Sequence, residues 1–249
     1  MPKFFVLSDI HGFYNEMRKA LDEVGFDPNN ENHWLISLGD ELDRGRQPEQ
    51  VINCLMDLPR SIFVKGNHTT LMQQMLERGY AMHHDYSNET FQSVLDLAPN
   101  AMTLEEGMKI AYEKTKSFFD KEINYFESAR YIFVHSYVPL LKSDGNNVMR
   151  YNPNWRTASD LEFENAMWGN PFKLHKQFGS NFDKTIICGH WHSSWPRFYF
   201  DGEDQWGDNA NFSPYYMDGL IGIDACTAYS GKVNCIVIED DFLEESNNV

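Results

Sequence analysis

Short apolar runs alternate with amphipathic stretches along the first quarter of the chain. Residues 3–8 are apolar and aromatic and stop at Asp9, and residues 13–25 then place Met17, Leu21 and Val24 at helical spacing. The same unit recurs. Residues 34–38 end at Gly39-Asp40, a helix carrying Val51, Ile52, Leu55 and Met56 follows, and residues 61–65 form a third strand. Strands that alternate with helices predict an α/β chain with a mainly parallel sheet. In such sheets functional groups gather beyond the carboxyl ends of the strands.

Between about residues 80 and 128 the strand signal gives way to helical spacing through Leu104, Met108, Ala111, Phe118, Phe119, Ile123 and Phe126, which predicts a helical insertion. Thr103 and Glu106 have the spacing of a capping box for its longer helix. Strand character returns at residues 131–134 and 184–188. Between them, residues 142–156 are rich in Asn, Gly, Ser and Pro and read as a long loop. Residues 220–224 and 233–239 read as two closing strands joined through Tyr229-Ser230-Gly231. No repeat or low-complexity tract interrupts the chain, and residues 1–249 are read as one domain.

Composition narrows the function. A content of 42% hydrophobic residues over 249 positions builds a sizeable core, without the 18-residue apolar run that a membrane span requires. A formal charge of −16 opposes a nucleic-acid backbone, although part of it belongs to an acidic run at residues 239–245. Cys54, Cys188, Cys226 and Cys235 lack C-x-x-C spacing and sit mostly in apolar runs, so they are expected as reduced, buried thiols. Met1-Pro2-Lys3-Phe4 leads into a strand without a signal-peptide pattern, so the expected location is the cytoplasm.

The candidate chemistry lies in five phrases at predicted strand ends: Ser8-Asp9-Ile10-His11-Gly12, Gly39-Asp40-Glu41-Leu42-Asp43-Arg44-Gly45, Gly66-Asn67-His68, Val134-His135 and Gly189-His190-Trp191-His192. Singly, each residue has a commoner structural use, such as a helix cap for Asp9 or Asp40 and a turn for Asn67. Together they supply what a two-metal hydrolytic centre needs. Asp9 and His11 fall on one side of an extended backbone and can reach one ion. Asp40 can bridge it to a second, whose shell Asn67, His135 and His190 complete. Mixed imidazole and carboxylate donors suit Mn, Fe, Zn or Ni better than Ca. Two such ions, roughly 3.5 to 4 Å apart, hold a hydroxide for in-line attack on phosphorus. His68 is then free to protonate the leaving oxygen, Asp43 to orient it, and Arg44 to grip two phosphate oxygens. His83-His84 lies away from any strand end and reads as surface.

The order D-x-H-G, G-D-x-x-D-R-G, G-N-H, V-H, G-H and a closing I-x-I-D resembles the calcineurin-like metallophosphoesterases, and most closely the bacterial and phage branch of PPP-type serine/threonine phosphatases. The resemblance covers most of the chain outside the helical insertion. It implies two mixed sheets packed as a sandwich and flanked by helices in four layers, a dinuclear Mn or Fe/Zn centre, and the residue roles given above. It also implies a closing hairpin at residues 221–232.

This chain departs from the pattern in three places. Thr69 follows G-N-H where an acidic residue is usual, and Trp168-Gly169-Asn170 stands where a second phosphate-gripping arginine is expected, with Lys173, Arg150 and Arg156 as candidate substitutes. The G-H-x-H phrase makes His192 either a further ligand of the Asp9/His11 ion or a cleft-lining residue. The expected activity is phosphomonoester hydrolysis on a phosphorylated protein or small phosphoester. The alternatives are symmetrical dinucleoside tetraphosphate hydrolysis, a phosphodiesterase, and a non-enzymatic module docking through the insertion.

Overall fold

The computed structural model describes residues 1–142 and 149–243. The middle of the loop expected at residues 142–156 and the end of the acidic run lie outside them. The order of elements is β1 (Lys3–Leu7), α1 (Tyr14–Glu23), β2 (His33–Ser37), α2 (Pro48–Met56), β3 (Ser61–Val64), α3 (Asn67–Arg78), α4 (His83–Ser87), α5 (Thr90–Leu97), α6 (Leu104–Phe119), β4 (Glu122–Ile123), β5 (Phe126–Glu127) and β6 (Tyr131–Phe133). There follow β7 (Leu141–Lys142), β8 (Met149–Arg150), α7 (Asp160–Ala166), α8 (Pro171–Phe178), β9 (Thr185–Cys188), the single turn α9 (Ser194–Pro196), β10 (Tyr215–Met217), β11 (Leu220–Gly222), α10 (Thr227–Ser230) and β12 (Cys235–Glu239).

Ten of the strands form two five-stranded mixed sheets, ordered β12-β1-β2-β3-β4 and β10-β11-β9-β6-β5. The alternation of side chains along β1 shows why its apolar run is continuous. Phe4 and Val6 point between the sheets, with Ile36, Leu38 and Val64 beside them and Phe133, Ile187 and Ile221 opposite. Leu7 points the other way, into a core with Leu35, Phe63 and residues of α1, α2, α3, α5 and α6. A third cluster packs α7 and α8 on the outer face of the second sheet through Phe163, Phe172, Ile132, Ile186 and Leu220. Helices therefore cover both outer faces, giving the expected four layers.

Two expectations are corrected. Residues 122–127 are not helical: β4 pairs in parallel with β3, and β5 pairs antiparallel with β6, so the chain leaves the helices at Phe119 and contributes to both sheets. Two-residue strands carry too little periodicity to register. The closing hairpin is also replaced. β11 lies in the second sheet beside β9 and β12 in the first beside β1, with α10 at the crossing, so the hairpin partner of β11 is β10. The helices of the insertion are built into the core rather than set out from it, since Val94, Leu97, Met108, Ala111 and Phe118 share a cluster with β1 to β3. At the start of α6 the Thr103 hydroxyl accepts from the Glu106 N–H, while the Glu106 carboxylate accepts from Met102 rather than from Thr103. His83 is exposed and His84 partly so, but Asp85 beside them is buried and paired with Arg78 at 2.7 Å. Among the cysteines only Cys188 is fully buried; all are free thiols. No helix of the described residues is long and apolar enough to cross a membrane.

Candidate metal centre

The five phrases converge at one end of the sandwich, where β1, β2 and β3 of one sheet face β6 and β9 of the other. Getting the side chains there requires unusual backbone. Asp9, His11, Asp40, Asp43, Arg44 and His190 all lie at positive φ, between 51° and 72°. For a residue with a side chain this conformation costs about 1–2 kcal/mol. Neighbouring glycines make the approach possible. A Cβ on Gly66 would collide with Oδ1 of Asp40, and one on Gly189 with Ser8 and Asp9.

Two groups of side chains offer donor atoms within 4.8 Å of one another: His11, Asp40 and His68, and Asp40, His135 and His190. Asp40 is common to both, as a bridging ligand would be. The imidazoles are set by backbone carbonyls. His11 donates Nδ1–H to Leu42 at 2.9 Å and His135 donates Nδ1–H to Leu38 at 2.7 Å, which leaves both Nε2 atoms aimed into the site. Nε2 of His135 lies 2.8 Å from Asn67 Oδ1 and 3.3 Å from Asp40 Oδ2. Asp9 Oδ1 lies 3.9 Å from His11 Nε2, and its Oδ2 accepts from Ser8 Oγ and, at 2.9 Å, from the His190 N–H. The donors and their buried, preset orientation fit a pair of divalent ions.

Asp40 has a second task. Its Oδ1 accepts the His68 N–H at 2.8 Å, while the residue at the start of α3, Gly66, provides no side-chain cap. The carboxylate therefore caps α3 from another strand, in the favourable field of a helix N-terminus.

His68 and Asp43 form a buried pair, Nδ1 to Oδ2, at 2.8 Å. The Arg44 guanidinium lies between the two imidazoles, 3.2 Å from His11 Nε2 and 3.1 Å from His68 Nε2. His192 is placed elsewhere. Its Nδ1 meets Ser194 Oγ at 2.8 Å and its ring lies 4.6 Å from that of Trp206; like Asp9, it belongs to neither donor group.

The electrostatics follow from burial and mutual charge. Burial lowers His190 to about 3 and His192 to about 4. It would lower His135 too, but the adjacent Asp40 carboxylate overrides it and raises that imidazole to about 9. Burial pushes Asp40 up, yet His135 and His68 hold it well below the usual carboxylate range. Asp9 and Asp43 are raised by burial. The raised value keeps the His135 imidazole charged beside the Asp40 carboxylate near neutral pH.

Several residues reach this site without a role having been read for them in the sequence. Glu41 is fully buried beside Asp40, accepts from Ser37 Oγ at 2.5 Å and from Thr69 Oγ1 at 3.0 Å, and is raised to about 7 by burial. Thr90 and Ser93 of α5 bond to Asp43, and Thr227 of α10 donates to the Asp9 carbonyl at 2.7 Å. Glu41 is visible inside the second phrase. The hydroxyls carry no signal in sequence, being remote from the phrases they touch.

A family model described as calcineurin-like phosphoesterase matches residues 2–194. The chain belongs to the calcineurin-like phosphoesterase family. Relatives of this phosphoesterase include a symmetrical bis(5'-nucleosyl)-tetraphosphatase of Dechloromonas aromatica (strain RCB), 29% identical over 40% of this chain and 35% of the relative. Serine/threonine-protein phosphatase 2 of Escherichia coli (strain K12) is 36% identical over 30% of this chain and 33% of its own. The matches thus span about a third of those proteins' length. A cold-active protein-tyrosine phosphatase of a psychrophilic Shewanella shares the fold, with a TM-score of 0.57 at 12% identity, covering 96% of this chain and 76% of that one.

The phosphoesterase's departures from pattern can now be located. Thr69 displaces an acid from its usual position, but Glu41 places a carboxylate against it. Asn170 caps α8, accepting the Lys173 N–H at 3.0 Å. Arg156 is engaged by Glu127 through two bonds of 2.8 and 2.7 Å, and Lys173 lies 5.2 Å above the Trp195 ring. Arg150 is exposed on β8. The arginine whose planar fork of donors points into the site is Arg44, held there by the two imidazoles.

Proposed function

We propose that this phosphoesterase hydrolyses phosphomonoesters, with a serine/threonine-type phosphoprotein as substrate, on two divalent ions held by Asp9, His11, Asp40, Asn67, His135 and His190. The observation that carries the reading is the sharing of Asp40 by two donor groups, one of which includes the His68 that pairs with Asp43. Bound there, the ions supply Lewis acidity and a water acidified for attack on phosphorus. The protein's own residues do the rest. Arg44 exchanges its two imidazole acceptors for two phosphate oxygens and fixes the ester in line. As water adds to phosphorus the bond to the ester oxygen breaks, and that oxygen takes the Nε2 proton of His68 and leaves as an alcohol. Asp43, on Nδ1, holds the ring in place. The proton lost by the attacking water restores His68 by way of solvent. Manganese is the proposed metal and the cytoplasm the proposed compartment.

Loading the protein with Mn, Fe, Zn or Ni and assaying p-nitrophenyl phosphate tests the class. Turnover with none of them would exclude the enzyme reading. On a phosphoserine peptide, whose leaving oxygen needs the proton, His68→Asn lowers kcat by about 10²–10⁴-fold and leaves metal content unchanged.

A second reading, symmetrical dinucleoside tetraphosphate hydrolysis, is favoured by one observation. Trp206 and Tyr229, 47% and 53% exposed, pack edge to face at 5.0 Å, with Phe212 and His192 behind them, two residues along α10 from the Thr227 that bonds Asp9. Such rings stack on nucleobases. Screening phosphopeptides against diadenosine tetraphosphate on one metal-defined preparation separates the readings. Under the nucleotide reading, Trp206→Ala raises KM for the dinucleotide and spares p-nitrophenyl phosphate.

A further inference from the structure

The helical insertion touches the candidate acid pair through α5. Asp43 Oδ2 accepts two hydrogen bonds, from His68 Nδ1 at 2.8 Å and from the Thr90 hydroxyl at 2.8 Å. Its other oxygen, Oδ1, is buried and has no partner among the described residues. Two donors on one oxygen and none on the other leave the plane of the carboxylate to be set by the angle between His68 and Thr90. Remove Thr90's hydroxyl and His68 is the last group defining it.

The contact is anchored on both sides. One helical turn along α5 the Ser93 hydroxyl accepts the Asp43 N–H at 3.0 Å, and one turn further Asp96 takes Arg46 through two bonds of 2.8 Å. Thr90 and Ser93 are buried to 0% and 1% exposure, so neither hydroxyl can find water instead. The backbone is committed at both ends of the bond. Glu89, immediately before α5, lies at φ 63°, and Asp43 and Arg44 lie at 72° and 65°. A helix start and a turn both held in the left-handed region are conformations that tertiary contacts must over-determine. The two segments are 47 residues apart in sequence.

We propose that α5 is a positioning element for proton transfer: Thr90 fixes the Asp43 carboxylate, and through it the His68 ring that donates to the leaving oxygen. The insertion thereby extends the range of esters the centre can cleave towards those with poor leaving groups. This rests on the reading of His68 as the acid. An ester oxygen that departs as a stabilised anion, such as p-nitrophenolate, needs little protonation, whereas an alkoxide or phenolate without such stabilisation needs the proton in the transition state. A residue that acts through the acid must therefore show its effect selectively. A residue that merely holds the fold together would not.

The test is a leaving-group series on the full-length, manganese-loaded protein, with p-nitrophenyl, phenyl and phosphoserine-peptide substrates and metal content measured on each sample. Thr90→Val is expected to lower kcat on phenyl phosphate and phosphopeptide about 10–100-fold, the loss of one charged hydrogen bond. On p-nitrophenyl phosphate the same variant stays within about threefold, with KM and metal content unchanged, and Thr90→Ser restores the lost turnover. Ser93→Ala, which removes the acceptor of the Asp43 N–H, shows the same selectivity to a smaller degree and decides the matter should Thr90→Val not fold. A uniform loss across the series, a loss of metal, or no loss at all overturns the proposal. His68→Asn separates the layers of the argument. If it is leaving-group-selective and the α5 variants are not, α5 has no positioning role; if it is not selective itself, the acid assignment fails and the positioning role with it.

Discussion

Replacing Gly66 by alanine isolates the geometry on which both donor groups depend. Gly66 has φ −106° and ψ 161°, an extended conformation that any residue adopts, so alanine brings no backbone penalty of its own. The penalty is steric, because the new Cβ meets Asp40 Oδ1, the Asp40 nitrogen and the Gly39 carbonyl carbon. Overpacking of this kind costs about 1–3 kcal/mol. Moving Oδ1 aside also forfeits its bond from the His68 N–H at 2.8 Å, a hydrogen bond to a charged group worth about 1.5–3 kcal/mol. The two together amount to about 2.5–6 kcal/mol, or a fall in Tm of about 5–24 °C for a chain of this size. Because Asp40 is the donor common to both groups, metal content should fall for both ions together. Differential scanning fluorimetry, elemental analysis and turnover on p-nitrophenyl phosphate read the three consequences. A Gly66→Ala protein that keeps two metals per chain, wild-type Tm and wild-type kcat would refute the account of Asp40 as shared ligand and cap of α3.

Three further outcomes follow from the same geometry. Asp40→Asn abolishes turnover and weakens loading of both ions, measured by metal titration; selective loss of one ion would refute bridging. His192→Ala leaves metal content at its wild-type value, since that ring is engaged by Ser194 and Trp206; loss of an ion would return it to the ligand set. Metal affinity should be pH-dependent. His135, raised from 6.5 to about 9, holds a proton that an ion must displace, so apparent affinity climbs about tenfold per pH unit up to about pH 9 and then levels. In the chelator-treated protein the same raised value stabilises the fold fully below about 6.5 and ceases to do so as pH rises through 9. A metal isotherm independent of pH between 6.5 and 9 would exclude His135 from the shell.

Much of the architecture could be read from periodicity because each major strand of the first sheet is an apolar run ended by a polar phrase. The predicted starts and stops of β1, β2, β3, β6 and β9 fall within one or two residues of the observed ones. β4 and β5 were illegible for a physical reason: a two-residue strand borrows its stability from neighbours and has no repeat to display. The closing strands were legible but their pairing was not. Gly231 and the turn residues around it mark a change of direction equally well whether the chain returns to the same sheet or crosses to the other. At the site, metal-capable side chains announce themselves by type. Hydroxyls do not, and Thr90, Ser93 and Thr227 became visible only when folding placed them against Asp43 and Asp9.

The left-handed backbone of the centre bears on how such a sequence ages. At Asp9, His11, Asp40, Asp43, Arg44 and His190 a glycine would relax φ and remove the side chain proposed for the chemistry. Drift towards stability and drift towards inactivity therefore run in the same direction at six positions. A protein kept only as a scaffold for binding would be free to take those steps, each a gain of about 1 kcal/mol by the cost of the strained conformation. This chain has taken none of them.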